Sequence, residues 1–599
     1  MKAYLNGQEY AFEEGETILQ LARRAGVFIP TLCRFEPLEH KPATCRVCIV
    51  EVSDDKGTRM VASCETPLAD GMRIDTFSRH VRDMQRTQVE MIFADHDQEC
   101  VSCARHGDCE LQDLGEAVGL TRNRFTHRLR PSAAERPLDD SATGMTRDMR
   151  KCIRCLRCVE VCRQIQGVAA LTVDGKGLGA CIGVGMADNH GASACIQCGQ
   201  CTLVCPTGAL AERDQNDTVL DMLADPEITT VFSFAPSVRV LLGEEFGFAP
   251  GVNVEGKIVG ALRRIGADVV LDTDFAADVT IMEEGTELLG RLRKGTPGPM
   301  FTSCCPGWIN YAEKHCPEIL PHISSTRSPQ GILGALAKSY LPQAMGLDAK
   351  RLRTISIMPC IAKKDEAARP QLARDSVPDT DVVLTVREFA RLLRRMGVDL
   401  AAVDPEPFDN PFMSASTGAA VIFGSTGGVM EAAVRTVHAV VTGRELEHIE
   451  IVPLRGMDGV REAEIDLGEG HGSIRVAICH GLRNARALAE QALAGESPYD
   501  FIEVMACPGG CVDGGGTSRV KGQYHPHART RQQGLYSLDR AMPRRQSHNN
   551  PQVKKLYADY LGEPNSHKAH ELLHTGYTDR SESPSETIFA NKQRLTLTE

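Results

Sequence analysis

The sequence contains few aromatic residues and no long apolar run. Phe, Trp and Tyr together make up 5% of the 599 residues, with a single Trp. No segment offers the roughly 20 consecutive apolar residues that a helix needs to cross a bilayer. The net charge of −12 also argues against a general surface for nucleic acid or anionic lipid. The composition is otherwise globular, with 42% hydrophobic and 24% charged residues.

An export signal is also missing from the first residues. The segment 1–20 is polar and lacks the apolar core of a signal peptide. Arg23 and Arg24 form a twin arginine, but Pro30 interrupts the segment that follows, and cysteines come next. We therefore expect a cytoplasmic protein in a reducing compartment.

Cysteine, in contrast, is abundant and clustered. The chain has 23 cysteines, and many of them are separated by only two residues. A chain of this length buries enough apolar surface to fold without disulfides, and a reducing compartment does not maintain them. Thiols spaced in this way are typical ligands of metal centres.

Two consecutive four-cysteine runs form the clearest internal repeat. Each has the spacing Cys-x2-Cys-x2-Cys-x3-Cys. In bacterial two-cluster ferredoxins, three cysteines of one run and the last cysteine of the other hold each [4Fe–4S] cubane. The predicted ligands are Cys152, Cys155, Cys158 and Cys205 for one cubane, and Cys195, Cys198, Cys201 and Cys162 for the other. Zinc is the alternative, although zinc sites use pairs of Cys-x2-Cys.

The N-terminal segment predicts a small α+β module that carries a further cluster. Residues 2–12 are expected to form two strands around Asn6-Gly7, a pair that tolerates positive φ, and residues 16–25 have helical spacing. An alternating strand follows the cysteine loop, as in plant-type ferredoxins. The expected ligands of a [2Fe–2S] cluster are Cys33, Cys45, Cys48 and Cys64. Their spacing departs from that of plant-type ferredoxins, so zinc remains the alternative.

A fourth set of ligands combines one histidine with three cysteines. His96, Cys100, Cys103 and Cys109 follow a helix predicted at 78–93. Three thiolates and a neutral imidazole can complete a cubane, and the neutral ligand should raise its reduction potential. A zinc site has the same ligand count, but the neighbouring cluster motifs favour iron and sulfur. The prediction is a relay of three accessory [4Fe–4S] clusters and one [2Fe–2S] cluster.

Beyond about residue 225 the pattern changes to short apolar strands that alternate with helical segments, which predicts an α/β core with parallel strands. Residues 125–150 are predicted to be an irregular connection.

The expected fold is α+β, with a β-grasp [2Fe–2S] ferredoxin module and a two-[4Fe–4S] ferredoxin module before a two-lobed α/β catalytic domain. The expected domains are 1–78 ([2Fe–2S]), 79–140 (the cluster with one histidine ligand), 141–215 (two cubanes), 225–517 (catalytic) and 518–599, a wrapping or helical extension.

Three cysteine motifs of the α/β region resemble those of the [FeFe]-hydrogenases. They are TSCCPGW at 302–308, MPCIAKKDE at 358–366 and EVMACPGGCVDGGG at 503–516. The upstream cluster motifs resemble those of the long clostridial-type members, so the resemblance covers nearly the whole chain. It implies the reaction 2H⁺ + 2e⁻ ⇌ H₂. It also implies the H-cluster, a [4Fe–4S] cubane bridged to a two-iron unit that carries CO, cyanide and an amine dithiolate.

The resemblance also assigns roles to individual residues. The cubane ligands that it implies are Cys305, Cys360, Cys507 and Cys511, the last of which bridges to the two-iron unit. Cys304 is implied as the proton donor to the amine. A proton relay is implied outward from Cys304 through Glu284, Ser324 and Glu287, although two glutamates at this spacing also suit a solvated helix face.

Further residues are implied to surround the two-iron unit. Lys363 and the turn Ala235-Pro236-Ser237 are expected to donate hydrogen bonds to cyanide, with Gln330 close by. Met358 and Met505 are expected to pack against the unit, whereas ordinary core filling is the simpler role for either one. The family usually has Gln-Pro after the triple glycine, and this chain has Thr517-Ser518 instead.

Three cysteines and a short motif are left over. Cys181, Cys316 and Cys479 are expected to be small buried apolar residues. The segment 570–574 matches the His-Glu-x-x-His pattern of zinc proteases, but the resemblance places a His-rich structural tail here. The glycine patterns at 175–180 and 251–257 complete no nucleotide motif, so NAD(P)H is expected to bind to another subunit.

The sequence therefore favours a hydrogenase whose relay exchanges electrons with a ferredoxin or with NAD(P)H-binding flavoprotein subunits. Its substrates are protons and H₂, and maturation enzymes are expected to supply the two-iron unit. A hydrogenase-like H₂ sensor and a purely electron-carrying subunit of the respiratory-complex type are the alternatives. Cys304 argues against the sensor, and the three C-terminal motifs argue against the carrier.

Overall fold

The computed structural model describes residues 1–36, 38, 43–55, 57–125, 136–408, 410–446, 448–467 and 472–581. Parts of two predicted segments, 126–135 of the connection and 582–599 of the tail, lie outside the described residues. The α-helices are Ile18–Arg24, Arg79–Ala94, Glu110–Ala117, Arg157–Glu160, Gln200–Val204, Asn216–Ala224, Val238–Leu241, Glu255–Arg264, Thr273–Lys294, Pro306–His315, Pro329–Met345, Ala362–Ala367, Val386–Arg395, Gly418–Val421, Gly428–Thr442, Leu482–Leu493, Ala528–Ala541, Pro551–Leu556 and His567–Leu573. The β-strands are Lys2–Leu5, Gln8–Ala11, Ile49–Asp54, Gly57–Ala62, Arg73–Asp75, Leu138–Asp139, Met145–Asp148, Thr172–Asp174, Cys181–Gly183, Leu210–Glu212, Thr229–Phe234, Val269–Asp272, Met300–Phe301, Leu352–Met358, Ala373–Arg374, Val377–Pro378, Val382–Thr385, Val460–Asp466, Ser473–His480 and Phe501–Met505.

The N-terminal module is the predicted β-grasp. Strand Lys2–Leu5 pairs antiparallel with Gln8–Ala11 and parallel with Arg73–Asp75, inside a five-stranded sheet. The turn between the first two strands has φ of 51° at Asn6 and 85° at Gly7. Both values lie in the left-handed region that this residue pair tolerates, so the hairpin prediction is confirmed.

The connection predicted to be irregular contains two strands. Leu138–Asp139 and Met145–Asp148 join Leu210–Glu212 in a three-stranded sheet, with Thr146 opposite Ala211. The prediction was wrong here because the partner strand follows the second cysteine run, more than 60 residues away, and supplies hydrogen bonds that no local pattern reveals. This sheet therefore joins the segment before the first cysteine run to the segment after the second.

The α/β region has two lobes, each built on a four-stranded sheet. In the first sheet all strands are parallel, in the order Val269–Asp272, Thr229–Phe234, Leu352–Met358 and Val382–Thr385. In the second sheet Met300–Phe301, Phe501–Met505 and Ser473–His480 are parallel, and Val460–Asp466 is an antiparallel edge. Each of the three cysteine motifs follows the carboxyl end of a strand, which is where open α/β sheets place their sites.

Buried arginines fasten the relay modules to the α/β region. Arg519 donates to the carbonyl oxygens of Leu203 and Cys205, both at 2.9 Å, and to Asp108 at 2.8 Å. Arg157 donates to Glu110 at 2.9 Å. Because the contacts of Arg519 join segments that are hundreds of residues apart, the cluster sites are held in fixed positions relative to the α/β region.

The described part of the tail is helical, as predicted. Its helices contribute Val553, Leu556 and Leu572 to an apolar core shared with the helices Thr273–Lys294 and Pro329–Met345. Within the described ranges, no helix combines the length and apolar character needed to cross a membrane.

Candidate active site

A largely apolar cavity is lined by loops from both lobes. These loops leave the carboxyl ends of the strands Thr229–Phe234, Met300–Phe301, Leu352–Met358 and Phe501–Met505. The lining includes ten residues of the predicted site: Pro236, Cys304, Cys305, Gln330, Met358, Cys360, Lys363, Met505, Cys507 and Cys511. Folding therefore brings the three distant cysteine motifs together around one cavity.

Four cysteines of this lining form a suitable donor set for an iron–sulfur cubane. Cys305, Cys360, Cys507 and Cys511 are all free thiols. Burial raises the pKa of each, and neighbouring thiols add to the rise at Cys360, Cys507 and Cys511. Four thiolates around one cavity would repel one another. The iron–sulfur core of a cubane is positively charged and removes that repulsion. The residues therefore fit the cluster that the resemblance implies.

Backbone groups favour a negative charge on Cys305. This residue precedes helix Pro306–His315 as its N-cap, and the amide of Ala506 donates to its Sγ at 3.3 Å. A thiolate is stabilised both by that hydrogen bond and by the positive end of the helix.

Cys304 lines the same cavity in a different electrostatic environment. Burial raises its pKa well above the ordinary value, and the charges of Glu284 and Cys305 add to the rise. The thiol therefore keeps its proton at neutral pH, which is the state required of a proton donor.

The ammonium group of Lys363 is held at the cavity wall by two residues that the sequence analysis did not identify. It donates to Glu366 at 2.5 Å and to the hydroxyl of Ser328 at 2.6 Å, and the Ser328 hydroxyl donates to Glu366. Burial alone would lower the pKa of Lys363, but Glu366 raises it. The i, i+3 spacing of Lys363 and Glu366 was a usable sequence signal, whereas Ser328 gave none.

The other predicted neighbours are close to the cavity, with one exception. Gln330 donates to the Lys363 carbonyl at 3.1 Å, and its side-chain oxygen has no partner within the described ranges. Met358 and Met505 are buried in the wall. Ser237, which follows Pro236 in the chain, is fully buried and is not part of the cavity lining.

The predicted relay carboxylates lie on one helix, beside Ser324. The Ser324 hydroxyl donates to Glu287 at 2.8 Å. Burial raises the pKa of Glu284 to about 8, and Glu287 adds to this, whereas hydrogen bonds from Ser303 and Ser324 oppose it. One carboxylate oxygen of Glu284 has no partner among the described residues. Glu284 thus interacts both with Cys304 and with Ser324.

In the fold, the last cysteine of each four-cysteine run lies beside cysteines of the other run. Cys152, Cys155, Cys158 and Cys205 line one cavity of about 330 Å³, which we call the outer cubane site. Cys162 interacts electrostatically with Cys195 and Cys201 of the other run. We call the set Cys162, Cys195, Cys198 and Cys201 the inner cubane site. The last cysteine of each run has therefore crossed to the partner site.

The N-terminal cysteines form two pairs. Cys33 and Cys45 have their sulfur atoms 3.3 Å apart, and a hydrogen bond with Cys64 lowers the pKa of Cys48 to about 7. Two thiols per metal is the arrangement that a [2Fe–2S] cluster requires, since each of its irons takes two protein ligands.

His96 is suited to act as a neutral ligand. Burial lowers its pKa to about 4, so the ring is uncharged at neutral pH. Its Nδ1 has no partner in the described part of the chain, and the ring is hydrogen bonded to the backbone of Lys151. A backbone partner on one nitrogen leaves the other available to a metal.

The inner cubane site lies next to the cavity lined by Cys305, Cys360, Cys507 and Cys511. A Cβ atom on Gly307 would lie 3.9 Å from Cβ of Cys198, 3.9 Å from Sγ of Cys305 and 2.9 Å from Cβ of Ala506. The absent side chain at Gly307 therefore permits close contact between the two centres. No sequence pattern marks this glycine, because its role depends on a partner loop about 110 residues away.

The remaining motifs have structural roles. Cys479 is fully buried, as predicted, but Cys181, at the start of strand Cys181–Gly183, and Cys316, directly after helix Pro306–His315, are only partly buried. The His574 ring bonds Ser325 at 2.9 Å and Glu283 at 3.1 Å. Both ring nitrogens are thus engaged with the protein, which accounts for the His-Glu-x-x-His segment without zinc.

Family comparisons agree with this arrangement module by module. Residues 1–79 match a "2Fe-2S iron-sulfur cluster binding domain", 85–124 an "NADH-ubiquinone oxidoreductase-G iron-sulfur binding region" and 151–209 a "4Fe-4S dicluster domain". Residues 228–515 match "Iron only hydrogenase large subunit, C-terminal domain", and 526–580 match "Iron hydrogenase small subunit". These matches define an oxidoreductase with iron–sulfur domains attached to an H-cluster domain, and they favour iron–sulfur clusters over zinc.

Full-length relatives identify the family. The chain is 42% identical to the NADP-reducing hydrogenase subunit HndD of Solidesulfovibrio fructosivorans, over 96% of this chain and 98% of the relative. It is 38% identical to iron hydrogenase 1 of Clostridium pasteurianum, over 96% and 99%. A solved [FeFe]-hydrogenase of Chlamydomonas reinhardtii superposes with a TM-score of 0.55 at 40% identity, covering 61% of this chain and 99% of that one. The chain belongs to the iron-only, or [FeFe], hydrogenases.

Proposed function

We propose that this hydrogenase catalyses 2H⁺ + 2e⁻ ⇌ H₂ at the cavity lined by the three cysteine motifs. We also propose that it exchanges electrons with an NAD(P)H-binding flavoprotein partner. The observation that supports the reaction is the convergence of four buried thiols around one cavity, with Cys304 beside them. Protein matured with its cofactor should show infrared bands of metal-bound CO and cyanide and should evolve H₂ from reduced methyl viologen. An H₂ sensor would show the bands without turnover.

The four cavity thiols Cys305, Cys360, Cys507 and Cys511 are the proposed ligands of the H-cluster cubane. The two-iron unit, when bound, supplies an open iron site and a nearby amine, where H₂ is made or split. Lys363 is a charged donor at the cavity wall, where it can hold an anionic cyanide by a charge-assisted hydrogen bond. Gln330, Met358 and Met505 complete the surroundings, and Pro236 contributes from the other side.

Protons are proposed to move through Glu287, Ser324 and Glu284 to Cys304. The contacts that support this order are the hydrogen bond from Ser324 to Glu287 and the electrostatic coupling of Glu284 to Cys304. A carboxyl whose pKa is near 8 can both accept and release a proton close to neutral pH.

Replacing Glu284 with glutamine should lower H₂ turnover by about a hundredfold or more, because an amide cannot pass on the proton. Cofactor content, read from the infrared bands, should stay unchanged. The matched control is Asp278→Asn on the same helix. Asp278 is also buried, with a pKa raised to about 7, but it bonds Thr417 and Asn550. Equal activities of the two variants would contradict the relay.

Electrons are proposed to reach the cavity through the inner cubane site. The outer cubane site lies next to it, and both the [2Fe–2S] site and the His96 site border the outer one. One apolar core contains Cys33 and Cys45 of the [2Fe–2S] site, Cys109 of the His96 site and Cys155 of the outer cubane site. A Cβ atom on Gly208 would lie 2.5 Å from the sulfur of Cys103. The proposed complement is three accessory [4Fe–4S] clusters and one [2Fe–2S] cluster, in domains 1–78, 79–140 and 141–215 that precede the catalytic domain 225–517 and its extension 518–599.

Gly307→Ala should slow electron transfer between the inner cubane site and the H-cluster. The new methyl group would meet Ala506 at 2.9 Å and push the two loops apart, and electron tunnelling falls exponentially with distance. Stopped-flow reduction of the accessory clusters by H₂ should show a rate several-fold below that of the native protein. The control is Gly290→Ala, where an added Cβ contacts nothing within 4 Å. An unchanged rate in Gly307→Ala would place the electron route elsewhere.

The partner proposal is supported by the similarity to a relative named as a subunit of an NADP-reducing hydrogenase. If NAD(P)H is the electron partner, a separate subunit would bind it, since the two glycine patterns of this sequence do not complete a nucleotide motif. We place the complex in the cytoplasm, where this pyridine nucleotide pool is available. Reduction of NADP⁺ or NAD⁺ by H₂ in the co-purified complex, and not in the isolated chain, tests the proposal. Equally fast reduction of a ferredoxin by the isolated chain would favour a ferredoxin partner.

A further inference from the structure

Lys314 is a buried lysine beside the inner cubane site. It lies near the end of helix Pro306–His315 and is 7% exposed. Its ammonium group donates to the carbonyl oxygens of Ser193 at 3.0 Å and Cys195 at 2.8 Å. Both acceptors belong to the loop that carries Cys195, so the positive charge is fixed against the ligand loop of the inner cubane site.

No carboxylate neutralises this ammonium group among the residues that the structure describes. The adjacent Glu313 pairs with Arg369 and Arg580 instead. Asp365 accepts hydrogen bonds from Asn310 and Thr143. A buried cation without a counter-ion is strongly unfavourable, and buried charges in proteins are normally paired. Asp365 and Glu313 thus act on Lys314 only at longer range, and no described carboxylate forms an ion pair with it. This leaves room for another anion beside the ammonium group.

A second buried group points to the same place. His190 is fully buried, and neither of its ring nitrogens has a nitrogen or oxygen partner in the described part of the chain. The His190 ring is hydrogen bonded to the Cys195 sulfur, and Lys314 donates to the carbonyl oxygen of the same residue. Buried hydrogen-bond donors are thus concentrated on the Cys195 side of the site.

We propose that Lys314 is the built-in counter-charge of the iron–sulfur cluster at the inner cubane site and raises the reduction potential of that cluster. A cubane held by four thiolates is an anion, and reduction adds one further negative charge. A fixed cation beside it stabilises the reduced form more than the oxidised form. The inference rests on the proposed cluster ligation.

The consequence concerns electron delivery to the H-cluster. Helix Pro306–His315 begins directly after Cys305 and carries Lys314 near its other end. One rigid element therefore contacts both the cavity and the inner cubane site. By favouring the reduced state of the cluster next to the cavity, Lys314 keeps an electron available there. Its role is to tune the potential of a carrier, and it touches neither the cavity nor the reacting atoms.

The test is a redox titration of the full-length protein followed by EPR. The signal of the inner cluster is first identified as the one that Cys198→Ala removes. In Lys314→Met, its midpoint should move to lower potential by about 59 mV or more, which corresponds to a tenfold or greater loss in the one-electron reduction equilibrium. Lys314→Arg keeps the charge and should stay near the native midpoint. Lys294→Met, which removes an exposed lysine charge, is the matched control.

Lys314→Gln covers the case in which the methionine variant loses its cluster. If both neutral variants lose the signal and Lys314→Arg keeps it, the positive charge is needed to hold the anionic cluster, which supports the proposal. An unchanged midpoint in either neutral variant overturns it, as does loss of the signal in all three variants. If the native protein has no signal that depends on Cys198, the cluster assignment itself is wrong and the proposal fails with it.

Discussion

Replacement of Cys304 by alanine should lower H₂ turnover by roughly a hundredfold to ten-thousandfold, the range expected for loss of a proton-transfer group. Cys304 is the thiol of the cavity lining placed between the proposed cubane ligands and Glu284, and burial raises its pKa so that it carries a proton. Alanine removes that proton and leaves the other four thiols in place. The measurement is H₂ evolution from reduced methyl viologen, together with iron content and the infrared bands.

The matched control is Cys316→Ala. Cys316 follows the helix that begins after Cys305, but it does not line the cavity. Its replacement should leave turnover near the native rate, which separates proton donation from a general effect of losing a thiol. Native turnover in Cys304→Ala would remove Cys304 from the proton path and leave Glu284 without a partner at the cavity.

Protein produced without the maturation enzymes should contain its accessory clusters and yet show no H₂ turnover. The cavity offers four thiols, and these suffice for a cubane alone. The described lining offers no further thiol except Cys304, so the proposed contacts that would hold the two-iron unit are Cys511 and the hydrogen bonds of Lys363 and its neighbours. We expect a unit with so few protein ligands to be delivered preassembled.

Iron and sulfide analysis, EPR and an H₂ assay on the same preparation test this expectation. Later addition of the maturation enzymes should restore activity without a large change in the EPR signals of the accessory clusters. Activity before that addition would mean that the assigned cofactor is wrong. Absence of the accessory signals as well would point to failed cluster assembly in general, and the comparison would then require reconstitution with iron and sulfide.

The sequence allowed a ligand set to be proposed for each accessory cluster, because closely spaced cysteines supply most of each set. Three cysteines separated by two residues wrap one cubane, so their spacing carries the information locally. The crossed positions of Cys162 and Cys205 followed from the same pattern, and the structure agrees with them. The alternation of short apolar strands and helical segments beyond residue 225 likewise predicted an α/β core with parallel strands, which the structure has.

Charged and polar neighbours of the clusters were predictable only in part. Glu366 lies in the same motif as Lys363, and their spacing on a helix indicated the contact. Lys314 carried no such signal, because its acceptors Ser193 and Cys195 are about 120 residues away. The strand Met145–Asp148 was missed for the same reason, since the hydrogen bonds that define it come from a distant strand.

The amino-acid sequence by itself determined which side chains are candidate cluster ligands, since most of them lie in short cysteine motifs with the spacing that clusters require. Tertiary structure decided which centres are neighbours and what charge surrounds each of them. The close contact at Gly307, the Ser328 hydroxyl that accepts from Lys363 and the Lys314 ammonium group on the Cys195 loop all depend on contacts between distant segments. Electrostatic effects depend on distance and burial in three dimensions, and neither quantity can be read from spacing along the chain.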